Sequence, residues 1–243
     1  MGADDDEDEG SIWSQRGFLA AAGAVAVVVI LAVALAVSGN DEPSSGAGPK
    51  TPVPKAPTAK GDDTACNAST AGSQKPLTAT PANTKWELLG RIAVPTAPRT
   101  YGPARRSGGL RSCFSRSAEG ALYAAVNVIG ATGYRPTRQA ATKELTARGI
   151  GRDRAIAAED KSDDSDVGLQ IGGFRYTSYS KSLAVIDIAS KGTVGSSAGD
   201  FHVSVAMRWE DNDWKLSVPD TGDPFVGAER LPDLGGYVRW MGA

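Results

Sequence analysis

Few side chains in this 243-residue chain can do chemistry, because it holds one histidine and two cysteines. A Ser-His-Asp triad would have to use His202. His202 lies in a strictly alternating segment, on its more polar side, which reads as a structural or surface position. No serine or cysteine sits in the strand-turn-helix setting a nucleophile elbow needs. A Cys/His zinc site would need three or four ligands, mostly carboxylates here. Gly108-Gly109 and Gly172-Gly173 lack the Gly-Lys-Ser/Thr continuation of a phosphate loop. Asp160, Asp163, Asp164 and Asp166 cluster, but without the EF-hand register and its glutamate. No catalytic residue, cofactor or metal site is therefore expected. Two features remain. Cys66 and Cys113 are most simply a disulfide outside the cytoplasm, closing a loop of roughly 46 residues for about 4 kcal/mol. A reactive Cys113 beside Arg111 and Arg116 is the alternative. Arg99, Arg105, Arg106, Arg111 and Arg116 form a local basic run. It reads either as a solvated loop with acidic neighbours or as a contact for an acidic partner, wall polymer or passing DNA.

The net charge is only −2, so direct nucleic-acid binding is not expected of the chain as a whole. Residues 18–37 run for about 20 positions without a charge, enough to span a bilayer core as a helix. A cleaved signal peptide is the rival reading. Against it stand the length of the apolar run and the acidic leader, residues 4–9, although residues 34–36 resemble a cleavage site. Arg16 flanks the N-terminal end, so the N-terminus is expected in the cytoplasm. Residues 1–17 read as an acidic tail. Residues 38–83 are rich in Gly, Ser, Pro, Thr and Lys and read as a disordered stalk, with polyproline II character at 49–57.

Residues 84–243 are expected to form the outer domain. Residues 86–94 read as a strand stopped by Pro95, and residues 100–109 as a loop. A helix with Ser117 as N-cap follows, its apolar residues at helical spacing, stopped by Gly130 and Gly133. A second helix is expected from Pro136 to Arg148 with Gly149 as C-cap, and a third over 153–160. The period then changes to two. Residues 169–180 carry a bulge at Gly172-Gly173, and residues 183–194 are rich in Val and Ile. Residues 201–210 alternate cleanly, 211–213 turn the chain, and 214–218 return. The aromatics of the tail, Phe225, Tyr237 and Trp240, are expected to tuck onto the domain. Helices followed by an antiparallel meander predict an α+β fold, with helices on one face of a curved sheet.

The order of anchor, stalk, helices and bent sheet resembles the nuclear-transport-factor-2-like superfamily. More narrowly it resembles the bitopic assembly factors of type IV secretion and the conjugal-transfer membrane proteins of Gram-positive elements. The residues carrying the likeness are VPTAPRTYGP (94–103), CFSRSAEGALYAAVN (113–127), WEDNDWKL (209–216) and GGYVRW (235–240). The resemblance implies a non-enzymatic, self-associating scaffold in a single-pass setting. Its partners would be the bilayer, further copies of itself and other envelope proteins of a DNA-transfer channel. It carries over no functional residue. A membrane-tethered ligand-binding module of the same fold is the alternative, with an apolar cavity near Tyr123, Phe174, Tyr176 and Met207.

Overall fold

A computed structural model describes residue 66 and residues 69–159, 168–194 and 197–242. The expected transmembrane segment, the acidic tail, most of the stalk and the aspartate cluster at 160–166 lie outside these residues. Among the described residues no helix is long and apolar enough to cross a membrane.

Two short hairpins come first. Lys85–Leu89 (β1) pairs with Ile92–Thr96 (β2), and Arg105–Ser107 (β3) with Leu110–Ser112 (β4). The single strand expected over 86–94 is therefore folded back on itself. Gly90 makes the turn possible: it sits at φ 61°, and a β-carbon there would lie 2.5 Å from the Tyr134 ring. A two-residue loop with glycine first is the turn whose twist matches a hairpin. Pro95 does not stop the strand. It lies opposite Trp86, where the register turns its missing N–H away from β1, so no ladder bond is lost. The expected loop at 100–109 also contains a strand, because Gly108 and Gly109 (φ 56° and 86°) close β3 onto β4.

The first helix, Ala118–Gly133 (α1), is the centre of the domain. Ser117 caps it as expected, its hydroxyl accepting from the Gly120 N–H at 3.1 Å. Every residue of α1 except Thr132 is buried, so the helix is covered all round rather than on one face. Its small residues allow this. Gly130 does not end the helix; it leaves room for Val94, whose Cγ1 would be 2.6 Å from a β-carbon. Gly120 lies even closer to the chain, with the Ser115 carbonyl oxygen 1.9 Å from a β-carbon position.

The second helix, Arg135–Glu144 (α2), ends four residues earlier than expected. The following residues form a bridge to the last sheet strand instead: the Leu216 N–H donates to the Leu145 carbonyl and the Ala147 N–H to the Leu216 carbonyl. Gly149 accordingly belongs to the start of the third helix, Ile150–Glu159 (α3), where its carbonyl accepts from the Asp153 N–H.

The main sheet is antiparallel. Its strands are Leu169–Tyr179 (β5), Leu183–Val194 (β6), Ser197–Glu210 (β7), Asp213–Leu216 (β8), Glu229–Arg230 (β9) and Val238–Arg239 (β10). The order is β10-β5-β6-β7-β8, with β9 beside β7. The register slips between Ile171 and Gly173, the bulge read from Gly172-Gly173. Asp211 and Asn212 (φ 52° and 59°) form the turn between β7 and β8. The tail tucks in: Trp240 is buried, with ring centroids 4.7 Å from Trp86 and 5.6 Å from Phe174 and from Tyr123. The α+β fold expected from the order of elements is the one observed.

The structure extends the domain upstream of residue 84. The Ser69 carbonyl accepts from the Arg116 N–H, the Ser73 carbonyl from the Ala118 N–H, and the Ser73 N–H donates to Glu119 at 2.6 Å. The end of the expected stalk is thus used to satisfy donors at the entry of α1, which a helix start cannot satisfy internally. Gly120→Ala is expected to destabilise the domain by about 3 kcal/mol, since backbone must move to admit one methyl group. Urea unfolding followed by tryptophan fluorescence measures it.

Candidate functional site

The structure joins Cys66 to Cys113, with Cα atoms 5.4 Å apart and a sequence separation of 47. Both cysteines are used, so neither is a free thiol. Cys113 has φ 65°, a left-handed conformation unusual for a residue with a side chain. Asp213 holds it there. One carboxylate oxygen of Asp213 accepts from the Cys113 N–H at 2.7 Å, and the other from Phe114 at 2.9 Å and from its neighbour Trp214 at 2.9 Å. Burial pushes the Asp213 carboxyl up, against the pull of these N–H groups and of Lys215. Trp214 completes the joint by donating its ring N–H to the Ser115 carbonyl at 2.9 Å.

An open cavity of about 460 Å³ lies beside the disulfide, with Arg105, Ser112, Glu144, Asp211 and Lys215 in its wall. Charges of both signs line it. Lys215 Nζ already donates to the Glu144 carbonyl at 2.7 Å, and Asp213 is saturated by backbone donors. The wall therefore shows no field of one sign that would select a charged ligand.

The five arginines do not form one patch. Arg106 and Arg111 converge on Glu87, at 2.6 and 3.1 Å. Arg106 also donates to the Thr96 hydroxyl at 2.9 Å. The Arg106 hydrogen bonds and the charges of both arginines hold the Glu87 carboxyl below its ordinary value, against burial. Burial in turn pulls Arg111 down, and its Nη1 is buried with no hydrogen-bond partner. Arg116 is elsewhere, 5.1 Å from the centroid of the Trp209 ring and donating to the Lys181 carbonyl. Arg105 lines the cavity, and Arg99 is exposed in the turn after β2. The acidic neighbour Glu87 lies about twenty positions upstream of its arginines, too far for local reading to pair them.

His202 is tied to a polar cluster that the sequence did not reveal. Its Nδ1 is 3.0 Å from Asp187, which is only 3% exposed. Asp187 also accepts from Arg175 at 2.7 Å and from the Tyr237 hydroxyl at 2.6 Å. Arg175 lies over the Tyr237 ring, 4.6 Å from its centroid. The cluster joins β5, β6 and β7 to the tail. Through these three partners the carboxylate ties the C-terminal segment to the sheet.

The region expected to hold a cavity is packed. Tyr123, Phe174 and Met207 are fully buried. Tyr123 shares a 2.6 Å hydrogen bond with Thr84, and burial pushes its hydroxyl up to about 12. Tyr176 donates to the Ala118 carbonyl. Among the described residues no group of His, Cys, Asp and Glu is arranged to hold a metal ion.

These features define an α+β domain pinned to its upstream chain by a disulfide, with polar clusters that tie its own elements together. The chain belongs to the family described as a domain of unknown function (DUF8175), whose model matches residues 47–239. No curated protein and no solved structure matches the chain.

Asp213→Asn replaces an acceptor by a donor against buried N–H groups. It is expected to cost about 2–3 kcal/mol, measured as a loss of urea stability. Asp187 gives a pH dependence. Burial raises its carboxyl, but the hydrogen bonds from Tyr237, His202 and Arg175 win and hold it below the ordinary value. Its stabilising contribution is then complete above about pH 4 and is lost as pH falls through the folded-state value. Asp187→Asn should flatten that acid limb in urea midpoints measured between about pH 4 and pH 2.

Proposed function

We propose that this is a single-pass membrane protein whose outer domain is a non-enzymatic scaffold in an envelope complex. Its narrower form is an assembly component of a conjugation or type IV secretion-like channel with a nuclear-transport-factor-2-like domain. The observation that carries the scaffold reading is the packed interior. Trp240 of the tail closes over Tyr123 and Phe174 where a ligand-binding domain would keep its pocket. The domain's polar clusters are spent on holding its own elements together, which leaves its outer surface for recognition.

The placement rests on two supports. The apolar run at 18–37 has the length of a bilayer-spanning helix. The Cys66–Cys113 disulfide suits an oxidising compartment outside the cytoplasm. On this reading the N-terminus is cytoplasmic, the bilayer is one partner, and further copies and other envelope proteins are the rest.

The test is affinity capture of the full-length protein from membranes, with the mass of the solubilised complex measured by light scattering. Multimers, or recovery of conjugation or secretion components, are expected. A strict monomer that captures no protein and carries a small molecule through purification would move the function to the ligand-binding module.

A further inference from the structure

The β1–β2 hairpin has a fixed hydrogen-bonding sense. Leu89 and Ile92 close the two-residue turn, so Lys85, Glu87 and Leu89 direct their backbone groups toward β2. Trp86 and Leu88 direct theirs away. Among the described residues no strand pairs with that outer edge and no backbone group bonds to it. Leu88 on the edge is 74% exposed, the largest value for any bulky apolar residue described. Its cross-strand neighbour Ala93 is half-buried. Met241, 58% exposed, precedes Gly242, whose β-carbon position lies 2.7 Å from Ala93 and 3.0 Å from Trp86. The edge and this apolar strip are continuous. Of the features that blunt exposed strands, β1 carries Lys85 at its first position and Glu87, whose charge is already paired with Arg106 and Arg111.

We propose that β1 pairs antiparallel with β1 of a second copy of this chain, with Glu87 on the two-fold axis. The inference rests on the self-associating scaffold reading and names the surface that reading needs. The register follows from the free groups. Centring on Glu87 sets Trp86 against the second copy's Leu88, and Leu88 against its Trp86, both as hydrogen-bonded pairs. Centring on Leu88 would set Trp86 against the turn glycine, and centring on Trp86 would leave Leu88 beyond the other strand's end. An aromatic facing an aliphatic residue is a favourable cross-strand pair, and the two-fold makes it twice.

Charge fits the same register. Two Glu87 carboxylates meet near the axis, which alone would be repulsive. Each already carries Arg106 and Arg111, so four guanidinium groups surround two carboxylates. A five-residue strand buries far less than the roughly 1,200 Å² of a stable free-standing interface. The pairing is therefore weak in dilute solution, and tethering to a membrane supplies the effective concentration it needs.

The experiment is disulfide trapping in membranes of cells carrying the full-length protein. Non-hydrogen-bonded partners on an antiparallel ladder lie about 4.5 Å apart at Cα, within disulfide reach. Glu87→Cys combined with Arg106→Gln, which removes a guanidinium left without its carboxylate, should give a covalent dimer on a non-reducing gel, well above that of Ser182→Cys, an exposed control elsewhere on the domain. Adding Leu88→Lys to Glu87→Cys should abolish the dimer, with the Cys66–Cys113 bond retained as the check of folding. Trapping at 87 no greater than at 182, or trapping unaffected by Leu88→Lys in folded protein, overturns the pairing. In either case envelope proteins captured by the wild-type chain would leave the scaffold reading standing. Failure of both trapping and capture would remove the two together.

Discussion

One buried carboxylate sets the geometry on which the rest of the domain depends. Asp213 begins the last main-sheet hairpin strand and gathers the N–H groups of Cys113, Phe114 and Trp214. Those bonds fix the left-handed turn at Cys113 that delivers the chain into Ser117 and α1. They also hold the disulfide's second cysteine where the upstream segment can reach it. A long-range contact of about one hundred residues therefore does what short loops do elsewhere. It orders the start of the central helix through the end of the sheet. Because the group is out of water, it tolerates no substitute that lacks two acceptor oxygens.

The central helix explains the rest of the layering. With small or apolar residues at most of its positions, α1 presents no polar face, so every side of it needs a covering. The β1–β2 hairpin covers one side through Val94 and Gly130, the large sheet another, and residues 69–73 its entry. The tail closes the remaining gap with Trp240, and the Asp187 cluster holds that tail through Tyr237.

Elements ruled by local chemistry were legible in the residues. The Ser117 cap, the alternating strand around His202, the turn at Asp211-Asn212 and the bulge at Gly172-Gly173 all announce themselves within a few positions, and the disulfide followed from there being only two cysteines. Features ruled by distant contacts were not. The apolar run at 86–94 gives no sign of folding back, because the fold-back depends on Gly90 fitting beneath Tyr134. The helix pattern past Glu144 continues toward Arg148, yet the sheet edge at Leu216 takes those backbone groups. The arginine run looks like one patch in sequence, and the fold scatters it. His202 reads as a structural or surface residue, but its partner Asp187 lies 15 positions away on another strand, and the groups that share Asp187 lie on a third strand and in the tail.

The disulfide has a mechanical consequence. In a chain held at its N-terminal side, a pull reaches the domain at Cys66 and crosses directly to Cys113. The intervening hairpins, including β1 and β2, are bypassed and carry no tension. The load passes instead into the Asp213 joint and the base of α1, where it is shared among several backbone hydrogen bonds. A domain loaded from its N-terminal side through this bond keeps the β1–β2 hairpin out of the covalent path of the force.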